Sequence, residues 1–190
     1  MKLRAWLLLA CAKQPAALAT FEQMLLLRPS DAYALASHGH VAAQLRLLQE
    51  SIASLRQLTV VRPEHAAAWF NLGYVLQQAE RHGEAGHAFE RALALDPRLD
   101  PAWYGLALVH IHARRFEEAA EALQKNTALQ PLGPHGWYRL TQVWLALDQP
   151  DKARKVIAHL RRFEPRVAAQ LERENGAAFA TAGGVADAAH

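Results

Sequence analysis

Residues 66–98 read AAAWFNLGYVLQQAERHGEAGHAFERALALDPR. Trp69, Leu72, Gly73 and Leu76 lie on a first helix, Ala85, Phe89 and Ala92 on a second, and Pro97 ends the unit. His82-Gly83 supplies the turn between the two helices. The pattern does not stop at the edges of this stretch. Pro29, Pro63, Pro97, Pro131 and Pro165 follow one another at intervals of 34 residues, as do Trp69, Trp103 and Trp137. The same step links Ala17, Ser51, Ala85, Ala119 and Ala153, and again Phe21, Leu55, Phe89, Leu123 and Ile157. Four independent series with one period do not arise by accident, and a fixed period of this size marks an array of stacked units.

The surrounding units vary in quality. Trp103, Leu106, Ala107, Ala119, Leu123 and Pro131 form the next one, with Asn126 where a small apolar residue is expected. Trp137, Leu140, Thr141, Trp144, Ala153, Ile157 and Pro165 form the one after, and Gln149-Pro150-Asp151 marks its internal turn. Upstream lie Leu35, His38, Gly39, Ser51, Leu55, Leu58 and Pro63. The first unit keeps Ala17, Phe21, Met24 and Pro29, but has Arg4 where a leucine is expected.

This constellation resembles the tetratricopeptide repeat (TPR) family over about residues 1–167, most strongly over 66–165. The resemblance implies an all-α fold, a right-handed superhelical solenoid of helix-turn-helix repeats. The repeats run about 1–31, 32–65, 66–99, 100–133 and 134–167, followed by a polar capping helix over 168–182 and a frayed tail at 183–190, so that 1–182 is a single solenoid. Small residues at Gly39, Gly73 and Ala107 let the paired helix approach. The tryptophans are expected to fill the space between neighbouring hairpins, so truncating one should cost about 3–5 kcal/mol. The prolines are expected to end each second helix.

In the family, the first helices of successive repeats line a concave surface. Carried over position by position, that surface would present Tyr33 and His40, then Phe70, Asn71, Tyr74 and Gln77. Tyr104, Leu108 and Ile111 follow, then Tyr138, Arg139 and Gln142, with Trp6 at the N-terminal end. Aromatic rings give contact area at little entropic cost, and amides pair with the backbone of an extended chain. The resemblance therefore implies a non-catalytic scaffold or adaptor that binds a protein or peptide segment in the groove. The alternative for any single ring is packing between adjacent first helices, which fits the four rings Phe70, Tyr74, Tyr104 and Tyr138 less well when taken together. The carboxylate clamp of chaperone-binding TPR domains is not matched, because its positions hold Ala36, His40, Asn71, Pro101 and Gly105, and only Asn71 fits.

Other chemistry finds little support. The ten histidines invite a metal. Yet His38/His40 and His110/His112 are spaced i, i+2 on different helix faces, and no carboxylate is placed to help them. Serines occur only at 30, 37, 51 and 54, and Ser30-Asp31 reads as a helix N-cap. No phosphate loop, nucleophile elbow or paired carboxylate appears, so no enzyme, cofactor or small-molecule substrate is expected. A net charge of +3 with both signs mixed does not point to a nucleic-acid partner, and the run Lys152, Arg154, Lys155, Arg161, Arg162, Arg166 reads as a solvated helix face.

Two alternatives concern the N-terminus. Leu8-Leu9-Ala10-Cys11 resembles a lipobox, and would make the chain a lipid-anchored, periplasmic TPR protein of the bacterial envelope or of pilus assembly. Against it, the apolar run is short and the repeat extends back through it, which favours a cytoplasmic chain with no membrane partner. Alternatively, Trp6, Leu7, Leu8 and Leu9 leave an array end uncovered, which would make the chain a self-assembling structural module, a homo-oligomer through its first helix. The Ala-rich, Arg-over-Lys composition is associated with a GC-rich bacterial source.

Overall fold

The computed structural model describes residues 1–3, 8, 13–176 and 179. Among them the chain forms ten long helices and no strand. They are α1 (Gln14–Leu27), α2 (Ala32–Gln44), α3 (Leu48–Val61), α4 (Ala66–Gln78) and α5 (His82–Leu95). Then come α6 (Asp100–His112), α7 (Phe116–Leu129), α8 (Pro134–Ala146), α9 (Pro150–Leu160) and α10 (Pro165–Glu174). Two compact units are distinguished, 1–102 and 103–190, and the line between them falls inside α6.

Within the first unit, α2 packs on α3 and α4 on α5 as antiparallel hairpins, with α1 against α2 and α3 against α4. The small residues act as the periodicity implies. A Cβ on Gly39 would stand 2.8 Å from Leu55 Cγ, and one on Gly73 would stand 2.8 Å from the Phe89 ring. Ser51, in the series otherwise filled by alanine, is fully buried and donates its hydroxyl to the Gly39 carbonyl at 2.7 Å. The entry to α2 is capped by Asp31, whose Oδ1 accepts from Ala34 N at 3.0 Å. Asp31→Ala should lower stability by about 1 kcal/mol, read as a fall in the urea midpoint with an unchanged slope. An unchanged midpoint would show that this cap contributes nothing.

In the second unit, α8 and α9 pair, and Ala119, Leu123, Leu140, Trp144, Ile157 and Leu160 belong to one buried cluster. The capping element begins three residues earlier than the sequence implies, with Pro165 as its first residue, and it buries Ala168 and Leu171 in that cluster. Pro165 therefore opens a helix, whereas Pro29, Pro63, Pro97 and Pro131 lie just beyond the ends of α1, α3, α5 and α7.

Two expectations need correction. His82-Gly83 is not a turn, because both residues lie in the first turn of α5. The chain reverses two residues before His82, at Glu80, in the left-handed region (φ 59°), and Arg46, Arg114 and Asp148 share that conformation. At each of these the two hydrogen bonds that close a helix C-terminus are formed, as in Glu80 N to Gln77 O (3.0 Å) and Arg81 N to Leu76 O (2.9 Å). The tryptophans, secondly, are half-buried and not enclosed. Trp69 and Trp137 donate their indole N–H to the carbonyls of Pro63 (2.8 Å) and Pro131 (2.9 Å), tying down the loop before their own helix. The fully buried aromatics are Phe21 and Phe89, and the full cost of truncating a core ring belongs to them.

Candidate functional site

The family-derived positions come together best in the first unit. His40 on α2 and Asn71 and Tyr74 on α4 line one open cavity of about 430 Å³. Its floor is Gly39, Leu55 and Val75, and its rim includes Gln44, Arg46 and Gln78. The i, i+3 spacing of Asn71 and Tyr74 turns both side chains to the same side of α4. Tyr74 is 52% exposed, an unusual state for a ring with no need to face water. Asn71 and His40 are also exposed, and His40 Nε2 lies 3.0 Å from the Gln44 amide nitrogen.

Phe70 does not join the cavity lining. It is half-buried against Phe89 (ring centroids 6.0 Å apart) and Tyr74 (6.4 Å), which makes it a support for Tyr74. Gln77 is half-buried and likewise absent from the lining. Tyr33 lies edge-on to Phe21 with Lys2 Nζ 4.9 Å from its ring, away from this cavity.

Arg46 was not legible as a site residue. It belongs to the turn after α2, outside the helix positions that the family pattern selects, yet it lines the cavity. Its Nη1 donates to Gln78 Oε1 at 3.3 Å, and it forms no ion pair among the described residues. The cavity thus carries a guanidinium beside an exposed phenol, an amide and an imidazole.

In the second unit, Tyr104, Ile111 and Tyr138 are half-buried against the core cluster, and Leu108 is half-buried on the same helix as Tyr104. Tyr138 donates its hydroxyl to Glu174 Oε2 on α10 at 2.8 Å. That bond pushes the Tyr138 phenol up. Glu174 is held below the usual carboxylate range by the Gln170 amide first and by Tyr138 second. Arg139 donates to Gln142 Oε1 at 3.1 Å. Packing and internal pairing thus engage much of this half of the expected surface.

Half of the basic run at the C-terminal end is engaged too. Lys152 Nζ sits 4.2 Å over the Trp144 ring, Arg154 pairs with Asp151 at 2.8 Å, and Arg161 pairs with Glu172. Among the histidines, His38 and His110 are buried while His40 and His112 are exposed, as i, i+2 spacing requires. The expectation that no carboxylate stands near them fails at His38, where Glu22 from α1 and Glu50 from α3 converge. Their separation in sequence hides this.

Trp6, Leu7, Leu9 and Cys11, on which the lipid-anchor and uncovered-end readings rest, lie outside the described residues, as does the tail at 183–190. Leu8 is described, and packs half-buried against the core of the first unit. No helix among the described residues is long and apolar enough to cross a membrane.

A family model described as tetratricopeptide repeat matches residues 36–100, and a second with the same description matches 76–135, together more than half of the chain. The chain belongs to the tetratricopeptide repeat family. A search of curated proteins returns no significant match. Among solved structures, the TPR fold seen here is shared by a MamA protein at 20% identity, over 90% of each chain, with a TM-score of 0.78. MamA from residue 41 onward of Desulfovibrio magneticus RS-1 aligns at 22% identity, over 91% of this chain and 93% of that one, with a TM-score of 0.78. YrrB, described as a TPR protein with an unusual peptide-binding site, aligns at 20% identity over 89% of this chain and 88% of its own, with a TM-score of 0.77. At these identities the likeness is one of fold. TPR membership supports a protein-interaction scaffold, of a kind that is typically non-catalytic.

Proposed function

We propose that this TPR chain is a non-catalytic adaptor that holds an extended peptide segment of a partner protein, with the α2–α4 cavity as its principal contact. The observation that carries this reading is the cavity itself, an exposed aromatic ring beside a hydrogen-bonding amide and a guanidinium in no ion pair among the described residues, over an apolar floor. An apolar or aromatic anchor of the peptide would lie against Tyr74 and Val75. Asn71 would bond its backbone, and Arg46 would meet an acidic side chain or a terminal carboxylate. Tyr33, Phe70 and Gln77 fit a flanking or supporting role. In the second unit, Tyr104, Leu108 and Ile111 on α6, and Tyr138, Arg139 and Gln142 on α8, are proposed as secondary contact positions. The YrrB likeness adds a TPR precedent for peptide binding, though not a site.

The test is peptide selection from a random library against the full chain. Peptides so selected should bind the Asn71→Ala/Tyr74→Ala variant at least about tenfold more weakly, since a central aromatic anchor carries a large share of binding energy. Both side chains are exposed, so the melting temperature should stay within a few degrees. Selected peptides that bind the variant as tightly as the original chain would sink the assignment.

A further inference from the structure

We propose that Glu22, His38 and Glu50 form a binding site for a first-row divalent cation of the zinc class, and that Ser54 is the residue that positions the imidazole. The three donors come from α1, α2 and α3, and one ligand atom from each lies within 4.8 Å of the others. His38 is only 7% exposed. Its Nδ1 is 2.8 Å from Ser54 Oγ, and its Nε2 is directed at Glu22 Oε1 at 3.9 Å, beyond hydrogen-bond length. With the proton on Nδ1 donated to Ser54, the Nε2 lone pair faces the carboxylates, the arrangement in which a metal-binding histidine is held. Two ligands of a tetrahedral zinc ion stand about 3.4 Å apart, so small rotations of two exposed carboxylates complete the set and leave a fourth position for water. One imidazole with two carboxylates suits zinc, cobalt or manganese better than calcium, which takes oxygen donors throughout.

The repeat itself gives an independent argument. Moving each position along by 34 residues, Glu22 and Glu50 become Arg56 and Glu84, and those two form an ion pair. Where the next repeat joins opposite charges, this one brings two carboxylates to a buried imidazole, and a cation between them would offset their repulsion. His38 and Ser54 become Leu72 and Ala88, then Leu106 and Ala122, then Leu140 and Val156, all buried and none able to hydrogen-bond through its side chain. Relative to the next repeat three positions depart, Glu22 from Arg56, His38 from Leu72 and Ser54 from Ala88, and they meet beside Glu50, whose position is glutamate again at Glu84 and Glu118. The site would clasp the first repeat to the second, and it is separate from the peptide cavity, whose lining includes none of the four.

Cobalt(II) provides the spectroscopic probe. Titrated with Co²⁺ alone, the full chain should bind one equivalent with visible d–d bands, and Zn²⁺ should displace it. Glu22→Arg recreates the Arg56–Glu84 pairing, so it should fold at least as well and bind Co²⁺ at least about tenfold more weakly, while Ser54→Ala, neutral in charge, should weaken binding about tenfold through loss of positioning. Equal affinity in the original chain and Glu22→Arg would place the ion elsewhere and overturn the proposal. So would the absence of any saturable Co²⁺ binding. Unchanged affinity in Ser54→Ala would remove Ser54 from it.

Discussion

Phe89→Ala should destabilise the chain by about 3–5 kcal/mol, a large share of the roughly 5–15 kcal/mol that separates a typical folded domain from its unfolded state. Phe89 is fully buried, its ring fills the space left by the missing side chain of Gly73, and Phe70 stacks beside it. The cavity left behind would lie between α4 and α5, which cannot close on it without pulling Tyr74 out of place. Urea unfolding would show the loss, and hydrogen exchange would show it first in α4 and α5, since an array opens locally before it opens as a whole. Phe89→Leu is the informative companion. The repeat already uses Leu55 at the equivalent place, packed on Gly39, so leucine should cost less than about 1.5 kcal/mol. A cost below about 1 kcal/mol for the alanine variant would mean that Phe89 is not the wedge its burial indicates.

Gly136→Ala should cost about 3 kcal/mol, although alanine normally improves a helix by about 1 kcal/mol over glycine. A Cβ at this position would stand 2.2 Å from Asn126 Oδ1 and 3.0 Å from Thr127 Cγ2. Asn126 is buried, so its amide cannot simply swing into solvent. The equivalent pairs elsewhere are Met24 with Ala34, Leu58 with Ala68, and Ala92 with Ala102. Asn126 and Gly136 are therefore two departures that compensate each other. The double variant Asn126→Ala/Gly136→Ala restores the pairing of Ala92 with Ala102 and should recover most of the loss. A double-mutant cycle in urea should give a coupling of about 2 kcal/mol, and additivity within about 0.5 kcal/mol would dismiss the compensation.

The period of 34 makes the all-helical repeat, the loops at Pro29 to Pro131 and the core rows through Ala17 and Phe21 legible, because each is a local rule repeated. The structure departs from that reading wherever a contact joins positions far apart. Nothing near His38 in sequence announces Glu22 or Glu50, and nothing near Tyr138 announces Glu174. Arg46 is not legible as a groove residue because the family pattern places groove positions on helices and Arg46 lies in a turn. The tryptophans stand out in the sequence but their role does not, since spacing shows that a ring is present and not whether its edge meets a carbonyl. Of the proposed peptide surface, His40, Asn71 and Tyr74 were named from position alone, while packing against the second unit's core engages Tyr104 and Tyr138.

Arg46, Glu80, Arg114 and Asp148 hold a left-handed backbone where glycine would sit at no steric cost. Each carries a conformational penalty of about 1 kcal/mol relative to glycine. The hairpin bends are therefore consequences of the helices pressing together, not instructions that start them. A repeat cut out of this chain would keep its own Gly73–Phe89 contact but lose the burial its neighbours supply, and should not stay folded alone. Cooperativity between neighbours is thus written into the backbone angles as well as into the buried rows, and the identity of each bend residue is left open to drift, as its variation between arginine, glutamate and aspartate illustrates.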